Sequence, residues 1–234
     1  MESPVSDIFT PQVADACLRL EIPLRVAPPG IRPVLPDARV SGPALPVRHY
    51  GSVDIFLEVM NASSPGTVLV VDNGGRLDEG CIGDLMAVEG LHFKLGAMVV
   101  WGAHRDTPEL ERLGLPIWSY GTTPAGPVRL EHRDPDAFKS ARFPGFEVTR
   151  DDVAFADRDG VVFVPARRLA DVERIALDVA RAEARERDRV LAGKSLGELL
   201  KLSEYVARRA TEPTYSFRTH VRKVRQTPPD EQNR

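Results

Sequence analysis

The chain has 234 residues, of which 42% are hydrophobic and 28% charged, and its formal net charge is −3. This is an ordinary globular composition, long enough for one large domain or a domain with appendages, and it lacks the overall positive charge of a nucleic-acid binder. Two cysteines, Cys17 and Cys81, form neither a CxxC pattern nor a disulfide framework, the start of the chain carries no apolar leader, and no apolar run approaches the ~20 residues of a membrane span. A reduced, cytoplasmic setting with no membrane and no nucleic-acid partner is therefore expected.

In chain order, residues 6–20 read as a short helix with Val13, Ala14, Cys17 and Leu20 on one face. The segment from Ile22 to Pro46 is rich in proline and predicts a surface wrap that enters a strand near Ala38–Pro46. Gly51–Asn61 reads as a helix with Val53, Ile55, Phe56 and Val59 inward. Thr67–Asp72 is a buried strand, and Asn73-Gly74-Gly75 should end it in a loop able to approach a ligand closely.

The stretch from Gly83 to Asp106 organises the rest. Gly83-Asp84-Leu85-Met86 opens a helix whose apolar face carries Met86, Ala87, Val88, Leu91 and Leu95. Gly96 is placed to end that helix, Ala97–Trp101 is a continuous apolar strand, and Gly102 is placed to end the strand. Ala103-His104-Arg105-Asp106 follows as a charged loop. A strand end beside a helix start is where open α/β folds place ligands. Asp84 and Arg105 lie 21 positions apart (105 − 84), one in each loop.

Thr107 and Pro108 open a further helix to Leu113, with Glu109 in its first turn, and Leu115–Tyr120 is the next strand. Gly121–Gly126 is a loop. A β-rich part spans residues 128–164, with strands at Val128–Glu131, Gly145–Val148, Val153–Asp157 and Val161–Val164 and a hairpin turn at Asp157–Gly160. A long helix then runs from Pro165 to about Leu191, striped by Leu169, Val172, Ile175, Ala176, Val179 and Ala180, and turns almost wholly charged over Arg181–Arg189. Leu196–Arg209 is a second helix, and from Thr211 the chain reads as a polar, basic, loosely ordered tail. The domain division is thus 1–165 for an α/β body, 166–210 for a helical extension and 211–234 for the tail. A helix that turns polar halfway suits either solvent or a neighbouring subunit.

Several motifs are absent. Gly193-Lys194-Ser195 resembles the end of a phosphate loop, but Asp188 stands where its first glycine belongs and a helix precedes it. There is no HExxH or GxGxxG. Taken singly, Asp84 is as readily a helix cap, and Arg105-Asp106 as readily a surface ion pair with a cap. Together they present charge from two glycine-rich loops that flank one strand–helix unit. His104, beside the pair, is a candidate site-lining group, whereas His92 reads as a helix-face histidine.

Gly83-Asp84-Leu85-Met86, Gly96, Gly102-Ala103-His104-Arg105-Asp106, Glu109-Leu110 and Gly121-Thr122-Thr123-Pro124 resemble the RraA-like family, as do Val68–Asp72 and Asp157–Val162. The family includes the class II 4-hydroxy-4-methyl-2-oxoglutarate/4-carboxy-4-hydroxy-2-oxoadipate aldolases. The resemblance covers roughly residues 10–165. It implies a swivelling-type α/β/α domain with a C-terminal helical extension, assembled as homotrimers or homohexamers with interfacial sites. It also implies Mg²⁺- or Mn²⁺-dependent cleavage or decarboxylation of small 2-oxo acids, releasing pyruvate. Asp106 would ligate the metal, and Arg105 would contact the substrate. Gly83, Asp84, Leu85 and Met86 would offer backbone N–H groups and the Asp84 carboxylate. A tail glutamate from a neighbouring subunit, Glu183 or Glu186, would reach the metal's water. His104 departs from the small apolar residue usual there and leaves the exact substrate open. Some members instead bind and inhibit ribonuclease E, which makes a non-catalytic regulator the alternative reading.

The chemistry accounts for the residue types. Retro-aldol release of pyruvate and oxaloacetate decarboxylation both pass through an enolate. A hard divalent ion held by carboxylate and water can polarise the 2-oxo group, a guanidinium can stabilise the developing oxyanion, and a carboxylate can hold a proton-shuttling water. A Schiff-base route needs a desolvated lysine, and neither loop contains one.

Overall fold

The computed structural model describes residues 8–226, which divide into two compact units at Val179/Ala180. The first unit is built on an eight-stranded mixed sheet. In chain order its strands are β1 (Arg25–Val26), β2 (Arg32–Pro33), β3 (Val40–Arg48), β4 (Val68–Ile82), β5 (Ala97–His104), β6 (Ile117–Ser119), β9 (Asp152–Ala156) and β10 (Val161–Pro165). Strands β7 (Ser140–Phe143) and β8 (Phe146–Thr149) form a separate hairpin. The sheet order is β1-β10-β9-β3-β4-β5-β6-β2. Its centre, β3-β4-β5-β6, is parallel, and the flanking pairs are antiparallel.

Period-two alternation explains why the central strands read as unbroken apolar runs. Leu69 and Val71 of β4, with Met98 and Val100 of β5, face one cluster that contains Ile55, Phe56, Val59, Met60 and Ala87. These last belong to helices α2 (Asp54–Asn61) and α3 (Asp84–His92); α4 (Thr107–Leu113) adds Leu110. Val68, Val70, Ala97 and Val99 face a second cluster with Ala141, Phe143 and Val148 from the β7–β8 hairpin. Both faces are therefore covered, as parallel strands require. Helix α1 (Thr10–Arg19) is tied down at its start, where Thr10 donates through its backbone N–H and its hydroxyl to the buried Asp157 at 2.6 and 2.7 Å. Residues 6 and 7 of the expected first helix lie outside the described residues.

The expected mixed α/β class, with a β-rich part and C-terminal helices, holds. Several local expectations do not. Asn73-Gly74-Gly75 does not end β4. Asp72 Oδ1 accepts the Gly74 N–H at 3.0 Å, Gly74 and Gly75 adopt left-handed φ of 64° and 70°, and the strand continues as a chain of bulges to Ile82. Gly102 does not end β5, because Gly102, Ala103 and His104 pair with Arg76, Gly80 and Ile82 of that bulged continuation. Gly96 does not end α3, which stops at His92; Lys94 takes the left-handed turn, at φ 57°. Val128–Glu131 is not a strand: its backbone is tied to the β3 end by the Glu131 N–H donating to Tyr50 O at 2.9 Å. The β7 strand was not expected. The Asp157–Gly160 hairpin is present, closed by the Asp157 N–H on Gly160 O at 3.0 Å.

After a short 3-10 turn at Ala166–Arg168, helix α5 (Leu169–Leu191) runs through the division point. Val172, Ala176 and Val179 of its expected stripe are buried, while Leu169, Ile175 and Ala180 are half-buried.

The second unit contains α6 (Leu196–Leu199), α7 (Leu202–Thr211) and α8 (Phe217–Gln226). The single helix expected over Leu196–Arg209 is broken at Lys201, whose φ is 49°. At the break, His220 Nε2 donates to Leu200 O at 2.9 Å, satisfying the carbonyl at the helix end. The loosely ordered tail expected from Thr211 is likewise corrected over α8. Phe217, His220, Val221 and Val224 fall at helical spacing, and Phe217 and His220 pack with Tyr205. Residues 227–234 of that tail lie outside the described residues. Among the described residues, no helix is long and apolar enough to cross a membrane.

Candidate active site

Both candidate loops leave the sheet at one level, because Ile82 at the end of β4 pairs with His104 at the end of β5. Gly83-Asp84 follows the first strand and Arg105-Asp106 the second, so the convergence follows from the register. The Arg105 N–H donates to Ile82 O at 2.9 Å and fixes the loops side by side.

Gly83 is the hinge of this arrangement. A Cβ there would sit 2.4 Å from Asp106 Oδ2 and 3.2 Å from Arg105 Cγ and Nε. Only a residue without a side chain lets the two loops approach so closely. Asp106 is held at φ 63°, ψ 34°, a left-handed conformation that aspartate tolerates better than most residues. Its backbone carbonyl accepts the N–H groups of Glu109 and Leu110, and its Oδ2 lies 3.3 Å from Arg105 Nε and 3.4 Å from the Asp84 N–H. The Arg105 and Asp106 side chains are 45% and 35% exposed, so the pair is open to a small solute.

Asp84 heads α3, and its Oδ1 accepts the Leu85 N–H at 2.7 Å. Of the first-turn N–H groups, Asp84's and Leu85's are thus engaged by the two aspartates, and Met86's is engaged by neither. The Leu85 N–H, expected to serve a ligand, meets the Asp84 carboxylate here. The apolar face expected for this helix is buried only in part: Ala87 and Leu95 are buried and Met86 half-buried, whereas Val88 and Leu91, with Leu85 beside them, are 48%, 42% and 71% exposed.

His104 is buried beneath the site. Its Nδ1 is 2.6 Å from Ser119 Oγ and its Nε2 2.8 Å from Thr107 Oγ1. Burial pushes its pKa below the usual histidine range, against the raising effect of Asp106, so the ring stays neutral. It latches β6 and the start of α4 to the end of β5. Glu183 and Glu186 belong to the second unit, where Arg225 holds Glu186 at 2.7 and 2.8 Å.

The sequence reading missed what surrounds Arg105. A Cβ on Gly126 would lie 2.8 Å from Arg105 Nη1, so that loop glycine forms a wall against the guanidinium. A polar cluster of His49, Asn73, Glu79 and Arg129 lies under the same loops. Asn73-Gly74-Gly75 was legible as a loop signal, but nothing local marks Glu79 as buried or Arg129 as its partner 50 residues away.

Comparison with known proteins fixes the family. The profile described as Aldolase/RraA, RraA-like, matches residues 10–163. The chain belongs to the RraA-like family. A relative from Alkalilimnicola ehrlichii is 29% identical over 148 residues, covering 63% of this chain and 91% of that one, and carries the provisional name 4-hydroxy-4-methyl-2-oxoglutarate aldolase. A relative from Halorhodospira halophila with the same name is 30% identical over 132 residues, 56% of this chain and 79% of its own. Among solved structures, the RraA-like protein RraAS2 of Streptomyces coelicolor, described as an unusual member of the RNase ES inhibitor RraA family, superposes with a TM-score of 0.69 at 28% identity over 79% of this chain and 93% of its own. An uncharacterized protein from Pseudomonas syringae pv. tomato reaches 0.73 at 25% identity, over 82% and 92%. The RraA-like match covers all the residues of the two converging loops and stops before α5.

Proposed function

We propose that this RraA-like protein is an aldolase-type lyase that cleaves or decarboxylates small 2-oxo acids to release pyruvate, with Mg²⁺ or Mn²⁺ as cofactor. The observation that carries the reading is the convergence of Asp106, Arg105 and Asp84 around Gly83, where a side chain would have to push the Asp106 carboxylate aside. The aldolase names of the relatives point the same way.

Asp106 would hold the cation, which when bound supplies Lewis-acid polarisation of the 2-oxo group. The donor fits a hard ion in type, since Asp106 offers a partly exposed carboxylate, but no group of three His, Cys, Asp or Glu with metal-site geometry occurs among the described residues. Such a site would leave most positions to water and substrate oxygens, which suits Mg²⁺ or Mn²⁺ better than Zn²⁺. Arg105, partly exposed and backed by Asp106, would bind substrate and balance charge as it develops on the 2-oxo oxygen. Met86, through the first-turn N–H left by the two aspartates, would orient a substrate carboxylate at the positive end of α3. Asp84, with Oδ1 held by its neighbour's N–H, would use Oδ2 to hold the water that takes the substrate hydroxyl proton and later returns a proton to carbon. The exposed Leu85, Val88 and Leu91 support sites placed at contacts between copies, in a homotrimer or homohexamer, with Glu183 or Glu186 reaching in from a neighbour.

The test is pyruvate release from 4-hydroxy-4-methyl-2-oxoglutarate and from oxaloacetate, measured with Mg²⁺ and again with EDTA. Turnover that disappears with EDTA supports the reading; absence of turnover across a panel of 2-oxo acids defeats it. The likeness to the Streptomyces coelicolor protein supports a second reading, a regulator that binds a ribonuclease. Co-purification with a ribonuclease and inhibition of its activity, without turnover, would favour that one.

A further inference from the structure

Arg105 is the substrate-binding cation of the proposed lyase, yet most of what fixes its direction comes from elsewhere in the chain. Its guanidinium lies against the backbone of Gly126. Three attachments hold the segment that carries Gly126. Ala125 O accepts the Gly80 N–H at 2.7 Å. Arg129 Nε donates to both oxygens of Glu79, at 3.0 and 3.2 Å, and its Nη2 donates to Asn73 Oδ1 at 2.8 Å. The Arg129 carbonyl packs so tightly on Gly51 that a Cβ there would lie 2.1 Å away.

The anchors beneath are buried. Glu79 is 4% exposed and Asn73 2%. His49 Nδ1 donates to the same Asn73 Oδ1 at 2.8 Å, its ring stacks on Phe56 with centroids 5.0 Å apart, and burial keeps it neutral. Asn73 Oδ1 therefore receives two donors, while Asn73 Nδ2 and His49 Nε2 are buried with no hydrogen-bond partner among the described residues. Asn73 in turn packs on Gly102 of β5, three residues before Arg105: a Cβ on that glycine would lie 2.9 Å from Asn73 Cβ. The Gly80 backbone abuts His104 and Arg105 in the same way, with a virtual Cβ 2.8 Å from His104 C and 2.9 Å from Arg105 N.

We propose that Glu79 and Arg129, seated on Asn73 and His49, form a positioning network that aims the Arg105 guanidinium through Gly126. The inference rests on the lyase reading for what Arg105 does, but not for where it points. Burying a carboxylate and a guanidinium costs several kcal/mol unless geometry and further hydrogen bonds compensate. Here that ion pair braces the loop that carries Gly126, beside Arg105, whose side chain is 45% exposed.

Three variants test it. Gly126→Ala places a methyl 2.8 Å from Arg105 Nη1, the movable end of a side chain, at a position without left-handed backbone, so the fold should be kept while the guanidinium shifts. Glu79→Gln with Arg129→Met removes the ion pair at nearly constant volume, and Arg129→Lys keeps charge but loses the two-point grip. Each should lower kcat/KM by ~10- to 100-fold, weaken oxalate binding, and shift the Arg105 Nε–Hε resonance in NMR spectra. In an Arg105→Ala background, Gly126→Ala should weaken oxalate binding no further. Losses that add in that background, or variants that match wild type in oxalate affinity and Arg105 resonance, overturn the proposal. If wild type neither turns over 2-oxo acids nor binds oxalate, the lyase reading fails. The Arg105 resonance then decides the positioning network by itself: a shift in Gly126→Ala and Arg129→Lys supports it, and no shift refutes it. If the double variant does not fold, those two single variants decide.

Discussion

Two arginine–acid pairs in this chain look alike on paper and differ in three dimensions. Arg208 and Glu212 lie one turn apart on α7, 3.1 Å from each other, with both side chains 42% or more exposed. Arg105 and Asp106 are neighbours at a strand end, 3.3 Å apart, and are partly exposed too. The difference is in the surroundings. Arg208 also lies over the Tyr215 ring, 4.1 Å from its centre, and keeps its own side chain 42% exposed to water. Around Arg105 and Asp106, an added methyl on either of two glycines would have to displace one of the two charged groups, one carboxylate is held in a left-handed turn, and two separate chain segments flank the guanidinium. A charged pair whose setting is over-determined by backbone is a site candidate; one that is merely adjacent on a helix is surface chemistry.

The largest effect that would break this contrast comes from the pair itself. Asp106→Asn keeps a side chain that tolerates the left-handed turn, so the protein should fold; turnover of 2-oxo acids should fall by at least ~100-fold, as for removal of a key electrostatic group. Thermal unfolding and steady-state kinetics together check it, and an active variant would reduce Asp106 to a cap. Gly83→Ala should come next. Its methyl would meet Asp106 Oδ2 at 2.4 Å, and a displacement of that order should cost ~10- to 100-fold in kcat/KM.

A stability effect follows. His49 and His104 are both buried, and burial lowers the pKa of each below the ordinary histidine value of about 6.5. A depressed histidine binds a proton less readily when folded than when unfolded. The folded state is therefore unaffected above about pH 6.5 and loses stability as pH falls below it. Unfolding temperature against pH should show that fall beginning near 6.5, and His104→Gln should flatten it. The smallest effect belongs to the other pair: Arg208→Ala should leave kcat and KM at wild-type values, and a loss of turnover there would remove the contrast altogether.

How much of this was legible from the sequence also differs between the two regions. The sheet centre was, because strands buried on both faces read as unbroken runs such as Val68–Val71 and Ala97–Val100. So was the pairing of the Gly83-Asp84 loop with Arg105-Asp106, since a helix start and the next strand end must meet in such a unit. The bulged path from Asn73 to Ile82 was not. Two adjacent glycines signal a break, and only pairing with β5 turns that break into a bulge. Gly126 and Arg129 were hidden for a related reason, as their partners lie 21 and 50 residues back in the chain. In the second unit, α8 was missed because its composition is basic and polar. Its order comes in part from Phe217 and His220, which pack on Tyr205 of α7.

The most direct test of the central claim, that Asp106 and Arg105 together hold a divalent cation and a 2-oxo acid, is Mn²⁺ binding followed by electron paramagnetic resonance with and without oxalate. The account predicts that wild type binds Mn²⁺, that oxalate tightens the binding, that Asp106→Asn abolishes it, and that Arg105→Ala abolishes only the tightening by oxalate. Mn²⁺ and oxalate binding by Asp106→Asn equal to that of wild type would contradict it.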